Sequence, residues 1–119
     1  MENNAEVFAL RIFIGSTDQY DQTPLYEYIV FQAKKKDIAG ATVTKGIMGF
    51  GASSVIHSYK FWEVSDKVPL VVELIDEENK LLSFYETIRP QLESMKYGCL
   101  VTMEKVRVLL YKTGEKKMF

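Results

Sequence analysis

The sequence contains few of the residues that build reactive or metal-binding sites. It has one cysteine and one histidine in 119 residues. Cys99 alone can form neither an intrachain disulfide nor a thiolate zinc cluster, and no pair of histidines or cysteines occurs at ligand spacing, so we predict no metal site. His57 is the one side chain suited to act as a base at neutral pH, and no nucleophile is placed to work with it. We therefore expect that the chain is not an enzyme.

Long apolar runs and an excess of one charge are also missing. Fifteen basic residues face sixteen acidic ones, which gives a formal net charge of -1. This balance provides no general attraction to nucleic acid, which basic surfaces normally bind. No stretch approaches the roughly 20 apolar residues that cross a bilayer, and the first residues do not resemble a signal peptide. We expect a cytoplasmic protein without a nucleic-acid partner.

The composition that is present is that of a globular domain. Apolar residues make up 47% of the chain and charged residues 26%, which are ordinary values for a protein with a buried core. A length of 119 residues is that of one domain. We expect a single domain over residues 1–119.

Apolar spacing predicts four strands and two helices in the order βαββαβ. The predicted elements are a strand over 7–14, a helix capped by Thr23 and ending near Lys36, a strand from Gly40 to Ile47, a strand over 68–75, a helix capped by Asp76, and one last strand or two short ones within 100–111. The second helix has an apolar stripe of Leu81, Tyr85, Ile88, Leu92 and Met95. Pro90 predicts a kink or a new start within it.

This order predicts an α+β fold, the ferredoxin-like βαββαβ sandwich, in which two helices cover one face of an antiparallel sheet. The other face is then uncovered although its strands are apolar on both sides, which favours a second copy of the chain as its partner. Glu73 interrupts one of these apolar strands. We expect it to be exposed at a sheet edge or to form a salt bridge across the interface.

A glycine cluster is the most suggestive binding feature. Gly46, Gly49 and Gly51 are followed by Ser53 and Ser54, and such a segment brings backbone amides and hydroxyls close to an anion. A glycine-rich hairpin with bulges is the alternative interpretation. The cluster opens a connection over about 49–66, which contains His57 and the aromatic residues Phe50, Tyr59, Phe61 and Trp62. Connections of this length in compact domains are usually functional.

These motifs resemble those of PII signalling proteins. Gly40-Ala41-Thr42-Val43 followed by Gly49-Phe50-Gly51 resembles the Gly-x-Thr-Val and Gly-Phe-Gly pattern before the long T-loop of that family. Lys112-Thr113-Gly114-Glu115 resembles its closing basic-Thr-Gly-Glu sequence. From Leu10 to about Leu109, the chain is similar to a bacterial and archaeal family of PII-like domains of unknown function. The features in common are Ile14-Gly15, Pro24-Leu25-Tyr26-Glu27, the run 46–54 with His57, Pro69-Leu70-Val71-Val72-Glu73 and Gly98-Cys99-Leu100-Val101-Thr102.

The resemblance implies a homotrimer that binds an adenine nucleotide, ADP, ATP or AMP, in clefts between subunits and holds no covalent cofactor. It also implies a regulated partner protein, with a membrane transporter as one candidate. This partner would contact the connection at 49–66, which would serve as the T-loop. Backbone groups of Gly40, Ala41, Thr42 and Val43 would hold the adenine, Gly49, Phe50, Gly51, Ser53 and Ser54 would approach phosphate, and Lys112 would supply a cation.

The chain departs from the PII pattern in its phosphate-binding parts. The glycine-rich phosphate loop before the last strand is reduced to Lys96-Tyr97-Gly98, and Leu110 replaces a basic residue. This loss has two interpretations, a weak affinity for the nucleotide or a ligand that is a monophosphate. The alternative function is that of a CutA-like, transporter-associated trimer that binds a metal ion or a small anion.

Overall fold

The structure is a computed structural model that describes residue 1, residues 6–51, the backbone of residues 57–58 and residues 67–115. Its helices and strands follow one another along the chain as β1 (Glu6–Gly15), β2 (Gln19–Tyr20), β3 (Thr23–Pro24), α1 (Leu25–Lys35), β4 (Gly40–Lys45), β5 (Met48–Gly49), β6 (His57–Ser58), β7 (Pro69–Asp76), α2 (Glu78–Glu93) and β8 (Leu100–Arg107).

Four of the strands form one antiparallel sheet in the order β4-β7-β1-β8. The strands β2 and β3 form a small separate hairpin, as do β5 and β6. The order of the four long strands and the two helices confirms the predicted ferredoxin-like fold. The hairpin of β2 and β3 was not predicted, because its strands have only two residues each. The strands β5 and β6 pair where a glycine-rich hairpin was the alternative interpretation of the glycine cluster.

The core lies between the helices and one face of the sheet. Alternate residues of β1 and β7 are buried on this face because successive side chains of a strand point to opposite sides. The buried set comprises Leu10, Ile12 and Ile14 of β1, Leu70, Val72 and Leu74 of β7, Leu25, Ile29 and Ala33 of α1, and Leu81, Phe84, Ile88 and Leu92 of α2. Both helices therefore cover the same face of the sheet.

The opposite face, which we call the open face, carries an ion-pair cluster on its central strands. Arg11 lies directly across from Glu73 and donates from Nε to its Oε2 at 2.8 Å. Its guanidinium also pairs with Glu104 of β8. One expectation, that Glu73 is exposed at a sheet edge, is wrong because β7 lies between β4 and β1. The salt bridge of Glu73 is made within the chain and not across an interface.

Both predicted helix caps are wrong. Thr23 pairs with Tyr20 in the first hairpin, whose turn has positive φ at Asp21 and Gln22, and Pro24 occupies the cap position of α1. Asp76 ends β7, and Glu77 is the cap residue of α2. The carboxylate of Asp76 instead accepts the amides of Glu77 and Ala39, so it joins the starts of α2 and β4.

Three further boundaries differ from those predicted. The second strand ends at Lys45 rather than continuing past Gly46. Helix α2 runs through Pro90 to Glu93 without a new start, and Ile88 and Leu92, two positions before and after the proline, are buried in the core. The last strand is a single one that ends at Arg107 rather than reaching residue 111.

Neither helix in the described part of the chain has the length and apolarity needed to span a membrane.

Candidate functional site

A mainly apolar cavity of about 330 Å³ lies where β1 ends and β7 begins. Its lining comes from the end of β1, the residues between β4 and Gly51, the start of β7 and the entry to β8. We call it the loop-base cavity, since it adjoins both ends of the connection at 49–66. Its volume is at the lower end of the range of about 300–1,000 Å³ that is typical of ligand pockets.

Glycines let the chain between β4 and β5 lie close against β7. The amide of Gly46 donates to the carbonyl oxygen of Pro69 at 2.7 Å, and a Cβ atom on Gly46 would lie only 2.9 Å from Cγ of Pro69. Gly49 lies against the same proline ring, since a Cβ atom on Gly49 would lie 3.5 Å from Cγ of Pro69. This close approach forms the side of the cavity that precedes the long connection.

The floor and rim of the cavity are apolar. Phe13, Val71 and Leu100 line it from neighbouring strands, and Phe13 and Leu100 are 38% and 55% exposed. Phe50 lines it from the other side with 72% of its side chain exposed. A flat apolar group such as a nucleobase has surfaces to pack against here.

Lys67 is the charged residue among the described lining residues. Its Nζ donates to Oδ1 of Asp18 at 2.8 Å and lies 4.2 Å from the centre of the Tyr97 ring. Oδ2 of Asp18 accepts the amide of Gly15 at 2.7 Å. These contacts link the end of the long connection, the end of β1 and the loop before β8.

Cys99 lies beside this cluster and lines the same cavity. Burial, and to a smaller extent the charge of Asp18, raises the pKa of its thiol above the ordinary value. The side chain packs against the hydrophobic core. Directly before β8, it therefore acts as a packing residue.

The structure brings only some of the predicted site residues together. Gly49, Phe50 and Gly51 line the loop-base cavity. Gly40, Ala41, Thr42 and Val43 lie in the edge strand β4 and Lys112 in the exposed segment after β8; none of these five lines it. Ser53 and Ser54 lie outside the described residues, as do the side chains of His57 and the connection's other aromatic residues.

The charged part of the site was not predicted. Asp18 and Lys67 are 49 positions apart in the sequence, and neither belongs to a local motif. The one available signal was the position of Lys67 directly before an apolar strand, at the end of the long connection. Among the described residues, no three His, Cys, Asp or Glu side chains are grouped as metal ligands.

Comparison with known proteins identifies the family. The sequence profile of the DUF190 family, described as an uncharacterized ACR, matches residues 7–108. The chain belongs to the DUF190 family. A UPF0166 protein of Aquifex aeolicus (strain VF5) is 36% identical to it over 100 residues, which are 84% of this chain and 90% of the relative. A UPF0166 protein of Methanocaldococcus jannaschii is 32% identical over 84 residues, 67% of this chain and 77% of the relative.

Solved structures show that this DUF190 chain has a PII-like fold. CPII, a nitrogen regulatory PII-like protein from Thiomonas intermedia K12 bound to ADP, AMP and bicarbonate, superposes with a TM-score of 0.67 at 13% identity, over 87% of this chain and 89% of CPII. A PII-like signalling protein from Thermus thermophilus superposes with a TM-score of 0.62 at 18% identity, over 91% and 94%. The PII-like fold that the sequence resemblance implied is thus confirmed.

Proposed function

We propose that this DUF190 chain is a non-enzymatic PII-like regulator that binds an adenine nucleotide, ADP, ATP or AMP, in the loop-base cavity. The observation that carries the proposal is the cavity itself, where Gly49-Phe50-Gly51, a lysine and the loop before β8 meet. Support comes from the fold, because the PII-like neighbour CPII was solved with ADP and AMP. The ligand would signal to a partner protein through the connection at 49–66, which begins at the cavity.

We further propose that residues 1–119 act as one domain in a homotrimer whose open faces pack together. Large apolar side chains support this assembly, since Phe13 and Leu100 of the open face and Leu109 and Leu110 after β8 are exposed. Exposed apolar surface of this kind commonly marks an interface between subunits. Gly40, Ala41, Thr42, Val43 and Lys112 do not line the cavity of their own chain, so their predicted contacts with nucleotide would be made in the cleft between two subunits.

The test is thermal unfolding of the purified protein with ADP, ATP, AMP, cyclic AMP or divalent metal ions. A ligand that binds the native state raises its stability by about 2.7 kcal/mol at a hundredfold excess over Kd. We expect stabilisation by at least one adenine nucleotide. No shift at millimolar nucleotide would refute the proposal, and a shift with metal alone would favour the CutA-like alternative.

Gly51 provides a variant that probes the cavity directly. Among the described residues, no heavy atom lies within 4 Å of a Cβ built on Gly51. Gly51→Trp therefore adds a bulky side chain to the cavity lining without a clash at its Cβ. We expect Gly51→Trp to abolish stabilisation by nucleotide and Gly51→Ala to retain it, with the same oligomeric state in both. Unchanged binding by Gly51→Trp would show that the nucleotide binds elsewhere.

A further inference from the structure

We propose that Asp18 is a built-in competitor for the cation of the loop-base cavity. Lys67 binds the anionic group of the ligand, and that anion has to draw the Lys67 ammonium away from Asp18. The inference rests on the proposed function for the nucleotide as the source of the anion. The shared chemistry is a phosphate group, which a nucleotide or free inorganic phosphate can supply.

The position of Lys67 suits it to bind an anion. It is the charged member of an otherwise uncharged set of described lining residues, where an ionic contact is stronger than in water because the surroundings are apolar. Its backbone is fixed by its neighbour, since Val68 donates to Oγ of Ser16 at 3.0 Å and its carbonyl accepts the amide of Ser16 at 2.8 Å. Movement of Lys67 is therefore confined to its side chain.

Asp18 holds this ammonium outside the path of a ligand. The side chain of Asp18 is 2% exposed and that of Lys67 is 12% exposed, so the pair is largely removed from water. The carboxylate cannot follow the ammonium toward a ligand, because its Oδ2 is held by the amide of Gly15 at 2.7 Å. The Asp18 carboxylate offsets the charge of the Lys67 ammonium and so weakens its attraction for an incoming anion. Separation of this pair is therefore one cost of anion binding.

Gly15 makes this pairing possible. A Cβ atom at position 15 would lie 1.8 Å from Cε of Lys67, so the lysine chain passes directly over the end of β1 to reach Asp18. On the way its ammonium meets the ring of Tyr97 at 4.2 Å. An anion that draws Lys67 into the cavity therefore loosens the contacts that join the end of the long connection to β1 and to the loop before β8. Ligand binding is thereby linked to the region that a partner would contact.

The test is titration calorimetry with AMP, adenosine and inorganic phosphate on the full chain and two variants. Asp18→Asn keeps an acceptor for the Gly15 amide and removes the competing charge. We expect it to bind AMP about tenfold more tightly than the unmodified protein, with unchanged affinity for adenosine. Asp18→Asn/Lys67→Met, which removes both charges of the pair, should lose this gain and bind AMP no better than adenosine.

Asp76→Asn is the matched control. Asp76 is also buried, and its Oδ2 pairs with Lys80 at 3.2 Å, away from the cavity lining. We expect this variant to lose stability and to keep its affinity for AMP. An equal gain in affinity for Asp76→Asn would mean that general loosening, and not release of Lys67, strengthens binding, and it would overturn the inference.

The outcomes separate this inference from the proposed function. If AMP binds but Asp18→Asn binds it equally or less tightly, Asp18 only positions Lys67 and the competition is refuted, while the nucleotide function stands. If no adenine ligand binds any variant, the proposed function fails, and the titration with inorganic phosphate tests the competition between Asp18 and an anion for Lys67. Tighter phosphate binding by Asp18→Asn than by the unmodified chain would support this competition. Equal or absent phosphate binding would refute it.

Discussion

Arg11 and Glu73 are directly opposed on the two central strands of the sheet, and Nε of the arginine donates to Oε2 of the glutamate at 2.8 Å. Glu104 holds the same guanidinium from β8. The hydrogen bonds that Arg11 donates to Glu104 and Glu73 raise its pKa above the ordinary value. One arginine of β1 thus bridges the carboxylates of the two flanking strands on the open face.

Removal of this arginine should disturb the fold and its assembly. We expect Arg11→Met to lower the melting temperature and to weaken any oligomer, because it leaves the carboxylates of Glu73 and Glu104, on the strands to either side of β1, without the cation that they share. Arg89→Met is the control, since Arg89 also contacts two glutamates but on the exposed surface of α2, where such pairs contribute little. Equal melting temperatures for the two variants in thermal unfolding would contradict this view of the open face.

Gly46 should be sensitive to the addition of a single methyl group. Its Cβ would lie 2.9 Å from a ring atom of Pro69, and the rigid proline ring cannot easily move away. We expect Gly46→Ala to lower the free energy of unfolding by about 1–3 kcal/mol, as overpacking does. Gly51→Ala, which enters open space, should change it by less than about 0.5 kcal/mol. Urea unfolding measures both, and a stable Gly46→Ala protein would refute the close packing at the cavity wall.

Phe84 anchors α2 on the sheet. It is 2% exposed and packs in the core, so Phe84→Ala should lower the free energy of unfolding by about 3–5 kcal/mol. The control is Phe31→Ala on α1, where the ring is 60% exposed and a change within about 0.5 kcal/mol is expected. A similar loss in both variants, measured by denaturant unfolding, would mean that Phe31 is covered in the assembled protein.

Cys99 should react slowly with iodoacetamide in the native state. The reagent attacks the thiolate, and the raised pKa of Cys99 means that less thiolate is present at a given pH. The rate should therefore rise at higher pH than it does for the same cysteine in urea-unfolded protein. Bound AMP should slow the reaction further, because Cys99 lines the cavity. A native rate that follows pH as in the unfolded chain would show that the thiol is not desolvated.

Local patterns in the sequence were sufficient to predict the fold. The segment 68–75 is a nearly continuous apolar run interrupted by Glu73, which is typical of an interior strand, and β7 lies between two other strands of the sheet. The alternation of its buried residues shows only in the structure. Phe84 was missed because the stripe chosen for α2 passed through Tyr85, which is only partly buried; adjacent helix positions differ by about 100° and both can border the core.

The site was less predictable than the fold, for a physical reason. The glycines at 49 and 51 are neighbouring parts of one segment, so their shared role showed in the composition of that segment. The ion pair of Asp18 and Lys67 depends on how the end of β1 lies against the start of β7, and nothing local to either residue indicates it. The predicted roles of Gly40 to Val43 and of Lys112 depend on a second chain and stay predictions.

The bond between the Gly46 amide and the Pro69 carbonyl closes the chain at the foot of the long connection. Whatever lies between these two residues leaves the sheet and returns to it at nearly the same point. The closure entropy of such an excursion grows by only about 0.6 kcal/mol for each doubling of its length. Insertions and exchanged sequences within residues 52–66 should therefore be tolerated by the core, so that this segment can be replaced or fitted with a reporter while the sheet and the two helices keep their packing.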